Sequence, residues 1–152
     1  MQIDTADRKI LRHLQADPTL TTVELAERAG LTAGTCWRRV EKLTSQGIIK
    51  GHEAVIAWDK LGFTVEVSLR ITLDKTNARA FDEFIDAARA VPEVLEIQTF
   101  LGRVDVRLKV ISRDMPHYQN VYRHQILPLP HINEIEALMH IATIKREEGL
   151  PL

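Results

Sequence analysis

Between Thr32 and Gln46 the sequence sets Arg38, Arg39 and Lys42 against one acidic residue, Glu41, a local balance of +2 in a chain whose formal net charge is −1. The segment opens on a hydroxyl, Thr32, and continues with the small residues Ala33, Gly34 and Thr35 before Trp37. That order suits a helix whose first turn enters the major groove of double-stranded DNA. Small side chains let the backbone approach the base edges, and Thr35 can donate or accept there. Arg38 can span guanine O6 and N7 or hold a phosphate, while Arg39 and Lys42 add positive charge. Thr22 and Thr32 open helices whose free N–H groups can bind phosphate. Two of these residues have a second role open to them. Arg39 can pair with Glu24 or Glu27, and Trp37 can serve as a surface-covering ring.

Other chemistries find no foothold. The six histidines (His13, His52, His117, His124, His131, His140) are scattered, and none sits in an HxxxH, CxxC or GxSxG setting. No phosphate-binding glycine loop is present. The single cysteine, Cys36, excludes an intrachain disulfide and falls on an apolar stripe, where a thiol behaves as a small hydrophobe. The expectation is a protein that is not an enzyme and uses neither metal nor cofactor.

A base-reading helix needs a scaffold. Ile3, Ala6, Ile10, Leu11 and Leu14 share one face of a helix over Asp4–Gln15, stopped by Asp17-Pro18. A second helix is predicted over Thr22–Ala29, capped by Thr21 or Thr22 and closed by Gly30. Leu31 re-enters the core, and a third helix runs from Thr32 to about Gln46 with Cys36, Val40 and Leu43 inward. Ala26, Gly30 and Leu31 supply the small contact residue, the turn glycine and the apolar residue that a helix-turn-helix requires. Ile48–Trp58 reads as a small strand pair or an extended linker.

Beyond Gly62 the rhythm changes. Phe63 to Leu73 alternates apolar with polar at period two, the mark of a half-buried strand. A helix follows over Asn77–Val91, then strands at Val94–Leu101 and Val104–Val110. A helix from Asp114 to about Ile126 and a strand over Ile132–Ile144 complete the order. This βαββαβ sequence is the ferredoxin-like split βαβ arrangement, an antiparallel sheet with helices on one face. The fold class is therefore α+β: residues 1–50 form a three-helix, winged-helix-like helix-turn-helix domain. Residues 51–62 link it to a ferredoxin-like domain over 63–152. The uncovered sheet face calls for oligomerisation.

The head resembles that of the Lrp/AsnC (leucine-responsive, feast/famine) regulators. The resemblance is carried by Asp7-Arg8-Lys9-Ile10-Leu11, Leu14-Gln15, Asp17, Glu24-Leu25-Ala26, Gly30-Leu31-Thr32, Cys36, Arg39-Val40, Leu43, Gly47-Ile48-Ile49, Gly51 and Leu61-Gly62. With the βαββαβ tail it spans essentially the whole chain. It implies a transcription regulator that binds DNA as a homodimer assembling to an octamer or larger, and that binds an amino acid or related small-molecule effector between dimers. It also places an effector site at the turn between the second and third strands. The residues matching that turn are Gly102, Arg103, Val104 and Asp105. Gly102 and Asp105 fit the family pattern; Arg103 and Val104 depart from it. In this reading Arg103 and the turn N–H groups hold a carboxylate, and Asp105 accepts from an ammonium group. Asp105 has an alternative role as a hairpin cap, and Gly102 as a simple turn. Leu138, Met139 and His140 match effector-sensitive positions, and His131 stands where the family usually has a small residue.

The amino terminus lacks the apolar core of a signal peptide, and no apolar run approaches the ~20 residues needed to span a membrane. The expected setting is cytoplasmic. Charge is nearly even in both parts, with 9 basic against 8 acidic residues through Leu61 and 11 against 13 after it. The competing reading is a DNA-architectural protein of the same fold that needs no effector.

Overall fold

The computed structural model describes residues 3–146 and 149–152. The chain divides into two units, Met1–Val55 with Lys145–Leu152, and Ile56–Ile144. Among the described residues no helix is long and apolar enough to cross a membrane.

The first unit is built from α1 (Thr5–Ala16), α2 (Thr22–Ala29) and α3 (Ala33–Ser45). Each begins where a short polar side chain satisfies N–H groups that lack an intrahelical partner. Asp4 and Asp7 form a reciprocal capping box on α1, and Thr21 and Glu24 form another on α2. Thr32 caps α3 by accepting from the Thr35 N–H. Gly30 ends α2 at φ 71° and ψ 40°, a left-handed conformation that costs glycine nothing. The core is Ile10, Leu25, Ala26, Ala29, Cys36 and Leu43, flanked by Leu11, Leu14, Leu20, Leu31 and Val40.

The C-terminal segment, expected in the second domain, returns to α1. The Gln15 side chain accepts from the Leu150 N–H at 2.6 Å and donates to its carbonyl at 3.3 Å, and Arg12 Nε donates to the Leu152 carbonyl at 2.7 Å.

The linker forms no strand pair; Gly51–Ala57 is extended without ladder partners. A ribbon would need a second strand, and Val55 instead stands 94% exposed. A 3-10 turn at Asp59–Leu61 then leads into the second unit.

That unit holds β1 (Val65–Leu73), α4 (Ala80–Arg89), β2 (Val94–Thr99), β3 (Val106–Ser112), α5 (Met115–Val121) and β4 (Ile132–Met139). The sheet order is β2-β3-β1-β4, all antiparallel. Val67, Leu69, Ile71 and Leu73 point to one face and pack with Phe84 and Ala88 of α4 and with Tyr118 and Val121 of α5. The α5 helix continues as a π turn over Tyr122–Ile126.

Several expected strand ends move inward. The last backbone bond of β4's edge runs from His140 N to Glu66 O, where β1 itself begins, so residues 141–144 have no strand to pair with. The turn between β2 and β3 spans 100–105 rather than two residues. Phe100 N–H donates to the Asp105 carbonyl, continuing the β2–β3 register by one pair, while Asp105 N–H donates to the Ile71 carbonyl, one residue off the Ile71–Val106 pairing at which the regular ladder stops.

Candidate nucleic-acid interface and effector groove

The first turn of α3 presents Thr32, Ala33 and Gly34 to solvent, with Thr35 half-buried. The Thr32 hydroxyl donates to the Thr35 hydroxyl at 2.9 Å, fixing both at the helix mouth. One turn on, Trp37 is 55% exposed. Arg38 and Lys42, four residues apart, lie on one exposed face. Neither forms a salt bridge with any described residue. Thr22 is exposed at the first position of α2.

Arg39 points elsewhere. Its Nη1 donates to Asp4 Oδ2 at 2.6 Å and to Asp7 Oδ1 at 2.7 Å. Its partners are thus the capping residues of α1, not Glu24 or Glu27. Hydrogen bonding to Asp7, then to Asp4, holds the guanidinium above its ordinary pKa. The Asp7 N–H, then Arg39, holds the Asp4 carboxyl below the usual carboxylate range. Sequence reasoning took Asp4 for a cap alone and missed Asp7. An acidic pair at i, i+3 was visible, but nothing local named the distant arginine.

Cys36 is fully buried, and desolvation pushes its thiol pKa upward, so the unreactive thiol form prevails.

In the second unit, a groove of about 620 Å³ is lined by Arg70, Thr72, Arg103, Val104, Glu134, Ile135 and Glu136. Arg70 pairs with Glu136 at 3.6 Å. Neither Arg103 nor Glu134 has an ion-pair partner among the described residues, and the shielded Thr72 Oγ1 has no hydrogen-bond partner there.

The structure separates the residues that the sequence grouped as an effector site. Arg103 and Val104 line the groove. Asp105 Oδ2 accepts from the Leu73 N–H at 2.9 Å, and its Oδ1 lies 3.4 Å from Lys75 Nζ. Its carboxylate is thus engaged as a strand-end cap. Gly102 does not adopt a positive φ, and a Cβ there would meet open space, so its backbone does not demand glycine. Leu138 pairs with Ser68 and His140 reaches Glu66, farther along the sheet than the Arg70–Glu136 and Thr72–Glu134 pairs that border the groove. The His140 ring instead meets the Thr143 hydroxyl at 3.0 Å. His131 takes φ 63° and holds Glu83 at 2.6 Å, lowering that carboxyl's pKa. Arg70, Glu134 and Glu136 were missed because only the β1–β4 register brings them beside the turn.

Comparison with known proteins finds two family matches. Residues 3–50 match the winged helix-turn-helix DNA-binding family, and residues 66–150 match the Lrp/AsnC ligand binding domain. The chain is 29% identical to the transcriptional regulator AzlB of Bacillus subtilis (strain 168), covering 100% of this chain and 97% of that protein. It is 31% identical to the leucine-responsive regulatory protein of Escherichia coli (strain K12), covering 97% of this chain and 90% of that protein. A transcriptional regulator from Neisseria meningitidis, solved in complex with L-Met, superposes with a TM-score of 0.91 at 27% identity, covering 99% of this chain and 97% of that one. With a helix-turn-helix in its first unit and a ligand-binding ferredoxin-like sheet in its second, this chain belongs to the Lrp/AsnC family of DNA-binding transcription regulators.

Proposed function

We propose that α3 reads double-stranded DNA in the major groove and that the groove beside Arg103 takes an amino acid or a related zwitterionic metabolite. The observation that carries the second part is the pair of unmatched charges, Arg103 and Glu134, set among Val104 and Ile135 in one groove. A zwitterion needs a cation for its carboxylate, an anion for its ammonium group and an apolar wall for its side chain. L-Met in the related Neisseria structure supports that chemistry.

On the DNA side, Thr32, Ala33, Gly34, Thr35, Trp37 and Arg38 face the bases, and Thr22 and Lys42 face phosphates. Arg39 is withdrawn from that set because two carboxylates hold it. On the effector side, Asp105 gives way to Glu134 as the ammonium partner, and Leu138 and His140 lie outside the groove lining. Val55, Ile141 and Ile144 stand 94%, 96% and 94% exposed, which a single chain in water would not favour. They support assembly as a homodimer and, from it, an octamer or larger ring. The chain acts where the DNA is, in the cytoplasm.

The test is a thermal-shift screen against amino acids, their keto acids and their amines. A ligand that binds only the folded state raises the melting temperature by mass action. The zwitterions should shift it while the keto acids and amines do not, and Arg103→Ala should abolish the shift. A flat panel would refute the sensor and leave an effector-independent architectural protein.

A further inference from the structure

The Arg39 cluster is an unusual use of charge for a small three-helix domain. Asp7 is 5% exposed, one of two buried polar residues among those described. Its four neighbouring bonds close on themselves. Asp7 N–H donates to Asp4 Oδ1 at 2.8 Å, Asp4 N–H donates to Asp7 Oδ2 at 3.3 Å, and Arg39 Nη1 donates to both carboxylates. One guanidinium from the middle of α3 therefore fastens the capping box of α1.

The apolar side of α3 offers only Cys36, Val40 and Leu43 to the core. Such an interface resists separation but is non-directional, so by itself it constrains roll about the helix axis weakly. Roll matters for reading bases. A turn of about 20° moves a side-chain tip at a radius of ~5–6 Å by roughly 2 Å. Recognition geometry tolerates only about 0.5 Å. Arg38 and Lys42 flank Arg39 on the same helix, so an anchor at Arg39 sets the direction of both.

We infer that Arg39 is a positioning residue for DNA recognition: held by Asp4 and Asp7, it sets the roll of α3 and so where Arg38 and Lys42 point. It acts through its neighbours and touches no DNA. This rests on the reading of α3 as the helix in the major groove.

The decisive variant removes a negative charge far from the bases. The full-length protein selects a duplex from a random pool, and affinities for that duplex and for a scrambled one of equal length are measured against salt. Asp7→Asn should lower affinity for the selected duplex about tenfold. Affinity for the scrambled duplex should hold or rise, because the head has become more positive. Asp4→Asn, at a more exposed position, should do the same more weakly, and it carries the test if Asp7→Asn does not fold. Arg39→Ala should leave the salt slope unchanged and Arg39→Lys should restore part of the discrimination. The opposite pattern overturns the inference. If Arg39 contacts phosphate, Arg39→Ala lowers the slope by about 0.9, and Asp7→Asn, by freeing the guanidinium, strengthens binding to both duplexes. Arg38→Ala separates the two readings. If it leaves the selected duplex bound as before, the assignment of α3 fails, whatever Asp7→Asn does.

Discussion

Replacing Asp105 should unfasten a strand before it affects any ligand. The Asp105 carboxylate accepts the Leu73 N–H at 2.9 Å, at the end of β1 where the β1–β3 register has already stopped at the Ile71–Val106 pair. Leu73 is 6% exposed, so in Asp105→Ala its N–H is left without a partner away from water. An orphaned buried amide costs about 1–3 kcal/mol. Loss of the 3.4 Å pair with Lys75, a residue 70% exposed, adds little, within about 0–1 kcal/mol. Asp105→Asn keeps an amide oxygen that can accept the same N–H, and should cost less than about 1 kcal/mol. The chain has two tryptophans, one in each unit, so a Trp37→Phe background makes Trp58 the reporter of the second unit. At a urea dependence of ~1–3 kcal/mol per molar, a loss of about 2 kcal/mol moves the unfolding midpoint by roughly 1 M. Asp105→Ala should show that shift and Asp105→Asn little of it, with faster exchange of the Leu73 amide in the alanine variant only. If both variants unfold where the parent does while effector binding disappears, Asp105 is a ligand group after all and the cap argument is wrong.

Arg38→Ala should weaken binding to a selected DNA site by about 1–3 kcal/mol, seen in a fluorescence titration; unchanged affinity removes Arg38 from the interface. Gly30→Ala should destabilise the head by about 1–2 kcal/mol purely through the backbone at φ 71°, because nothing lies within 4 Å of the added carbon. Gly34→Ala, inside α3 with equally open surroundings, should instead raise the head's melting temperature while impairing DNA binding; a fall in melting temperature would contradict the assigned helix. Acid should destabilise the head. The Asp7 N–H holds the Asp4 pKa down, the Thr19 hydroxyl that of Asp17, and the Thr21 hydroxyl that of Glu24. Because the folded values are depressed, the stability they contribute is complete above the unfolded carboxylate range and is lost as pH falls through the lower folded values, below about pH 4. A Trp37 signal with the same urea midpoint at pH 6 and pH 3 would argue against that linkage.

Local rules made the helices of the head readable. Thr21, Glu24 and Gly30 bound α2 by caps that depend only on neighbours in sequence, and the predicted span matches the observed Thr22–Ala29. The period-two run to Leu73 likewise revealed β1, because alternation follows from burial on one face. What failed was non-local. The end of β4 depends on where β1 starts, and the partners of Arg39 and Asp105 lie 30 or more residues away. The linker could be read as strand or coil because Val55 and Ile56 have strand-like side chains, and no partner strand meets them within one chain. Of the effector residues, Arg103 and Val104 lie in the groove, while Glu134 stands beside the turn only through strand pairing.

The return of the C-terminal segment to α1 has a topological consequence. The sensing unit is an insertion: the chain leaves the head after Val55 and re-enters it at Lys145. The first unit is therefore discontinuous in sequence, built from two segments separated by the whole of the second unit. Among the described residues, the Gln15 amide on Leu150 and Arg12 on Leu152 hold the returning segment against α1. A protease cut within Gly51–Val55 would therefore leave two pieces still held together by the hydrogen bonds of Leu150 and Leu152 to α1, without a covalent bond between them.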